Sequence, residues 1–164
     1  MAIAAEVTER TAQPYVAISG TVTMATVGSI ADRIPEIFGW LGARGIAPAG
    51  PPFLRYNVID MERQLEIEAG VPVVSAVEGD GHVRAGTLPA GQYAVLVHVG
   101  APPTLPAANA ALIDWAAERH LTWDMSRTGA GEEWGCRLEI YLTDPAEQPD
   151  VSKWATQLAF RLAD

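Results

Sequence analysis

The 164-residue sequence holds a single cysteine, Cys136, and a single lysine, Lys153. One cysteine excludes an intramolecular disulfide and any zinc cluster built from several thiolates. Alternation puts Cys136 on the face shared by Leu138, where a core role is expected. Basic residues are scarce altogether: 11 Lys and Arg against 20 Asp and Glu leave a net charge of −9. Phosphate-backbone binding needs a basic stripe, so direct nucleic-acid binding is not expected. No stretch approaches the roughly 18 apolar residues of a membrane span. MAIAAEVTER lacks the basic flank and long apolar run of a secretory signal. A soluble cytoplasmic protein with no membrane partner is the expectation. The three histidines, His82, His98 and His120, have no HExxH-like spacing, so neither a metal nor a cofactor is expected. GAGEEWG (129–135) lacks the strand-then-helix frame of a phosphate loop, and no serine sits in a nucleophile elbow.

What is present is a globular balance, 49% hydrophobic and 19% charged residues, arranged in an order that repeats. PYVAISGTVT (14–23) and QYAVLVHVG (92–100) are β-rich runs, each followed by a helical pattern. The first pattern carries Ile30, Ile34, Ile37, Phe38 and Leu41, with Pro35 marking where an initial turn becomes the helix proper. The second carries Leu105, Leu112, Ile113, Ala116 and His120, with Pro106 suited to a first turn. Two strand-like runs then follow in each half: 52–59 and 63–73 in the first, roughly 120–126 and 133–142 in the second. A last alternating segment, 154–162, adds a final strand. Tyr15 and Tyr93 lie 78 positions apart, and Trp40 and Trp115 lie 75 apart.

The economical reading is an α+β fold of two tandem β-α-β-β modules with pseudo-two-fold symmetry and antiparallel sheets. Module one spans about 6–75 and module two about 88–164, within one domain over 1–164. One helix per module covers one sheet face only. Two such units side by side leave a central cleft, the kind of junction where ligands bind.

RLEIYLTDP (137–145) supplies the sharpest candidate residues. Leu138, Ile140 and Leu142 share one strand face, and Arg137, Glu139 and Tyr141 share the other. A carboxylate on an internal strand beside Tyr141 and Trp134 needs donors, a cation or a raised pKa. Glu139 and Tyr141 are therefore the candidate catalytic pair. Glu66 and Glu68 on the matching strand of the first half read as a solvated face. Trp40 and Trp115 near the ends of their helices, with Trp123, Phe53, Tyr56, Tyr93 and Trp134, are candidate walls for a planar or cationic ligand. For Trp40 and Trp115, locking helix to sheet is the competing structural role.

APAGPPFLRY, DMERQLEIEAGVPV, LPAGQYAVLVHVG, IDWAAERH and RLEIYLTDPAEQPDVSKWATQL, in that order, resemble the GyrI-like family over about Glu6 to Leu162. This is the small-molecule-binding fold also found as the effector domain of some AraC- and MerR-type transcription factors. The resemblance implies tandem modules around a cleft that takes hydrophobic and often cationic drugs, with a cleft glutamate matching Glu139. It also implies two alternatives. One subfamily hydrolyses the strained cyclopropane of DNA-alkylating natural products, which would give Glu139 a water-activating role and Tyr141 an oxyanion-binding one. Other members only bind, as scavengers or sensors. Many relatives carry an acid after W-x-T, where this chain has Gln157, so a site needing that second acid would be altered. Related folds can bind haem; here His98 is the only strand histidine, and its alternation with Val97 and Val99 favours a structural role. No DNA-binding module is expected beside the two units, and the partner expected is a small-molecule ligand bound by a monomer or homodimer.

Overall fold

Period-two alternation in the β-rich runs and 3.6-residue spacing in the helical ones build the elements of the computed structural model, which describes residues 4–164. The first half contains β1 (Ala5–Arg10), β2 (Gln13–Val22), a single-turn α1 (Gly28–Ala31), α2 (Ile34–Ala43), β3 (Phe53–Ile59) and β4 (Leu65–Pro72). The second contains β5 (Arg84–Leu88), β6 (Gly91–Val99), α3 (Leu105–Glu118), β7 (Met125–Thr128), β8 (Gly131–Trp134), β9 (Arg137–Tyr141) and β10 (Ala155–Arg161). Pro35 and Pro106 each fall in the first turn of their helix, where a missing N–H costs no hydrogen bond.

All the paired strands are antiparallel. The main strand order is β1-β6-β10-β9-β3-β4-β2-β5, curled, with the β7–β8 hairpin attached to β3 through β8. The order reads the same from either end once β3 is matched with β9, β4 with β10, β2 with β6 and β1 with β5. The two halves meet at the seam between β3 and β9, where Phe53 pairs with Ile140 and Leu54 with Glu139. β1 runs directly into β2 yet pairs with β6, and β5 runs into β6 yet pairs with β2. Each half thus lends its opening strand to the other.

The second half departs from the order expected from the sequence. Residues 133–142 form two strands, and β9 and β10 are the pair that matches β3 and β4. The segment expected as an additional final strand is therefore integral to the second unit. The run expected as a strand at 120–126 contains only an isolated bridge, Trp123 to Leu162, before β7 begins. The cause is an inserted hairpin whose strands β7 and β8 alternate like the principal ones. Gly135 breaks the run after β8, its N–H donating to the Asp124 carbonyl at 2.8 Å.

One face of the sheet carries the helices. Ile37 and Leu41 of α2 and Ala108 and Leu112 of α3 pack with Val16, Ile18, Leu65, Ile67, Leu96, Leu158 and Phe160 in one core. The other face buries Tyr15, Phe53, Tyr93, Val95, Cys136, Leu138 and Ile140 in a second core. Among the described residues no helix is long and apolar enough to cross a membrane.

Candidate functional site

β9 alternates between these two faces, which sends Leu138 and Ile140 into the second core and turns Glu139 and Tyr141 toward the helices. There they form the floor of a cleft of about 1470 Å³. Its walls are the N-terminal half of α2 (Ile34, Pro35, Phe38) and one face of α3 (Leu105, Asn109, Ile113). Leu54 and Tyr56 of β3 complete the floor from the first half. Ligand pockets commonly measure about 300–1,000 Å³, so this cleft has room for a large polycyclic guest. Apolar side chains dominate its exposed rim: Met24, Phe38, Met61 and Leu142 leave 37–62% of their surface in water, beside the exposed carboxylates of Asp32 and Asp144. Covering such surface contributes about 25 cal/mol per Å², and exposed methionines repack easily around different shapes.

Glu139 is the chemical centre of the floor. The Tyr141 hydroxyl donates to its Oε1 at 2.7 Å and the Tyr56 hydroxyl to its Oε2 at 3.3 Å. Burial pushes its pKa above the ordinary carboxylate value, against the two tyrosine hydrogen bonds and the Arg137 charge, which pull it down. Both tyrosines are raised above the ordinary phenol, first by burial and then by the Glu139 charge. They therefore remain neutral donors, and each carboxylate oxygen keeps a lone pair for a guest.

Of the residues singled out in the sequence, Tyr56, Glu139 and Tyr141 converge in the cleft. The others lie elsewhere. Trp40 sits near the end of α2, its Nε1 donating to Asp80 Oδ2 at 2.9 Å and its ring 3.8 Å from the Arg44 guanidinium. Trp115 has the same relation to Arg119 at 4.3 Å. Trp123 and Trp134 pack with Phe160 in an aromatic cluster, ring centroids 5.6–5.7 Å apart. Phe53 and Tyr93 belong to the second core, Phe53 edge-on to Tyr15 and the Tyr93 hydroxyl on the Pro89 carbonyl. Glu68 is on that side too, accepting from Tyr15 and Asn57, and Glu66 is exposed. Gln157 pairs with Ile140, faces away from the cleft, and accepts from Arg10 Nη2 at 2.7 Å. His98 is hydrogen-bonded to Thr104 Oγ1 at 2.6 Å.

The cleft also contains residues the sequence reading passed over: Trp154, Thr156, Phe160 and Arg137. Arg137 was legible as a neighbour of Glu139 on the same strand face. Trp154 and Thr156 carry no mark of their own until β10 is recognised as the partner of β9, which pairs Thr156 with Tyr141.

Residues 4–163 match the family described as GyrI-like small molecule binding domain. No curated protein matches the chain significantly. Among solved structures, EcmrR in its DNA complex is similar over 98% of this chain at 18% identity and a TM-score of 0.78. The chain spans 57% of that protein. SAV2435 bound to tetraphenylphosphonium is similar over 97% of this chain and 93% of its own, at 10% identity and a TM-score of 0.67. A hydrolase from Listeria innocua is similar over 97% and 91%, at 14% identity and a TM-score of 0.61. At these identities the structural likeness is one of fold.

Proposed function

The chain belongs to the GyrI-like family of small-molecule-binding domains, and we propose that its cleft binds hydrophobic, planar aromatic or cationic small molecules. The observation that carries this reading is a carboxylate held by two tyrosines on the floor of a large apolar cleft. A cation entering there meets Glu139 in a water-poor setting, where attraction exceeds its value at the surface. Tetraphenylphosphonium, the ligand of SAV2435, has that chemistry and serves as the first probe. Micromolar binding by calorimetry or tryptophan quenching is expected, weakened about 10- to 100-fold in Glu139→Gln by loss of the charge attraction in a water-poor cleft. Equal affinity in the two proteins would remove Glu139 from the reading.

A second reading is supported by the raised pKa of Glu139, which suits a general base. The hydrolase from Listeria innocua shares the fold. In this reading the cleft detoxifies DNA-alkylating xenobiotics whose cyclopropane is conjugated to a dienone. Glu139 takes a proton from water, and the water oxygen bonds to a ring carbon. The breaking carbon–carbon pair moves onto the carbonyl, which gains a proton as a phenol. Incubating such a compound with a hundredth of an equivalent of protein separates the readings. Complete conversion to a product heavier by one water means turnover; one bound and unchanged equivalent per site means a binder.

A further inference from the structure

Arg137 has no part in the proposed binding of cations or in water activation, yet it lies two residues from Glu139 on the cleft floor. A guanidinium drawn partly out of water, as Arg137 is, normally spends its five N–H groups on carboxylates or carbonyls. Among the described residues this one makes a single hydrogen bond, from Nη2 to Asn109 Oδ1 at 3.2 Å. Its Nε and Nη1 donate to no protein acceptor there. Glu132 and Glu139 supply negative potential around it, but it forms no salt bridge with either.

The side chain is nonetheless held in place. Its guanidinium carbon lies 4.7 Å from the Trp134 ring centroid and 4.3 Å from that of Phe160. Asn109 Nδ2 donates to the Leu105 carbonyl at 3.0 Å, which turns Oδ1 of the same amide toward Arg137. A fixed donor with unspent N–H groups, facing a large apolar cleft, is a preorganised acceptor-binding site. Strand geometry sets it roughly 6.6 Å along β9 from Glu139, within the span of a two- or three-ring aromatic.

We propose that Arg137 is the polar selector of the cleft and that the preferred guests are planar aromatics carrying a conjugated carbonyl oxygen, which accepts from its free N–H groups. This rests on the binding function proposed above and narrows its ligand class. It also divides the labour on the floor. Tyr141 and Tyr56 give their hydroxyl protons to Glu139, which leaves Arg137 as the donor with capacity to spare. If the cleft performs chemistry on a dienone, the developing oxyanion falls to Arg137 rather than to Tyr141.

The test uses two uncharged probes of nearly the same shape, 2-acetonaphthone and 2-ethylnaphthalene, titrated into the full chain with tetraphenylphosphonium as a reference. A cleft without a free donor prefers the hydrocarbon, because the ketone must leave its water behind. The expected result is about tenfold tighter binding of the ketone, falling to equality or reversal in Arg137→Met, a change that keeps the aromatic stack filled. Circular dichroism of the variant establishes that it folds; the comparison in the unaltered protein stands without it. Equal affinities there, or a ketone preference that survives in folded Arg137→Met, would overturn the assignment. If only tetraphenylphosphonium binds, the binding function holds and the carbonyl selector is refuted. If none of the three binds, both fall.

Discussion

At the scale of single residues, Glu139 ties stability to pH. Its folded-state pKa is raised by burial, so the folded protein keeps this proton at pH values where the unfolded chain has lost it. The contribution of the group to stability is therefore greatest below the ordinary carboxylate pKa. It declines as pH rises through the interval up to the raised value and stays low above that. Glu139→Gln removes the titration while leaving a side chain that can accept from one tyrosine and donate to the other. The variant is expected to gain in melting temperature relative to the original protein as pH rises above the ordinary glutamate value of about 4.3. Differencing the two melting curves cancels every other titrating group. A difference that does not change with pH would mean that Glu139 is better solvated than its surroundings indicate. This conflict was partly readable in RLEIYLTDP, because a glutamate flanked by Leu138 and Ile140 must sit on some face of an internal strand. Which face it shares with the helices was not readable, since alternation has no sign until the strand is placed in a sheet.

At the scale of elements, both long helices end in the same way. In α2 the chain turns left-handed at Gly45 (φ 67°), and Ile46 N–H returns to the Leu41 carbonyl at 3.0 Å. In α3 it turns left-handed at His120 (φ 56°), and Leu121 N–H returns to the Ala116 carbonyl at 3.0 Å. Both are Schellman caps, which favour glycine at the turning residue. Arg44 and Arg119 each lie over a tryptophan four residues back, Trp40 and Trp115, and place positive charge at the helix C-terminus. The two tryptophans 75 residues apart thus occupy matching places at the helix ends, where each packs against an arginine. A tryptophan at the edge of an apolar stripe looks alike whether it meets a ligand or an arginine. The caps predict opposite effects for opposite changes. His120→Gly is expected to stabilise by about 1 kcal/mol, relieving a left-handed residue that bears a Cβ, and Gly45→Ala to destabilise by a similar amount. A Cβ at Gly45 meets no atom within 4 Å, so backbone conformation alone sets the sign. Urea midpoints measure both, with tetraphenylphosphonium affinity expected to stay constant.

At the scale of the whole molecule, exchange of the opening strands joins the halves more firmly than two side-by-side modules require. β1 pairs with β6 over six residues, β5 with β2 over five, and β3 with β9 across the seam. The repeat itself was legible from the order of strand and helix patterns, but the exchange was not. A short alternating strand pairs equally well with the run beside it in sequence or with one 80 residues away, and only the completed sheet chooses. The site inherits this arrangement, because Tyr56 comes from one half and Glu139 and Tyr141 from the other. Cutting the chain after Ser75 would strand β1 with the first fragment and its partner β6 with the second, and would separate β5 from β2 in the same way. Each fragment would then expose an unpaired edge on a strand that is interior in the intact sheet. Neither fragment is expected to fold alone, and mixing them is expected to restore both the far-ultraviolet circular dichroism and tetraphenylphosphonium binding. In the intact chain the same coupling predicts one urea transition. Tryptophan fluorescence, with Trp40 in the first half and four tryptophans in the second, should report the same midpoint as circular dichroism. Two separated transitions, or a fragment that folds and binds by itself, would mean that the exchanged strands are decoration and that each half is its own folding unit.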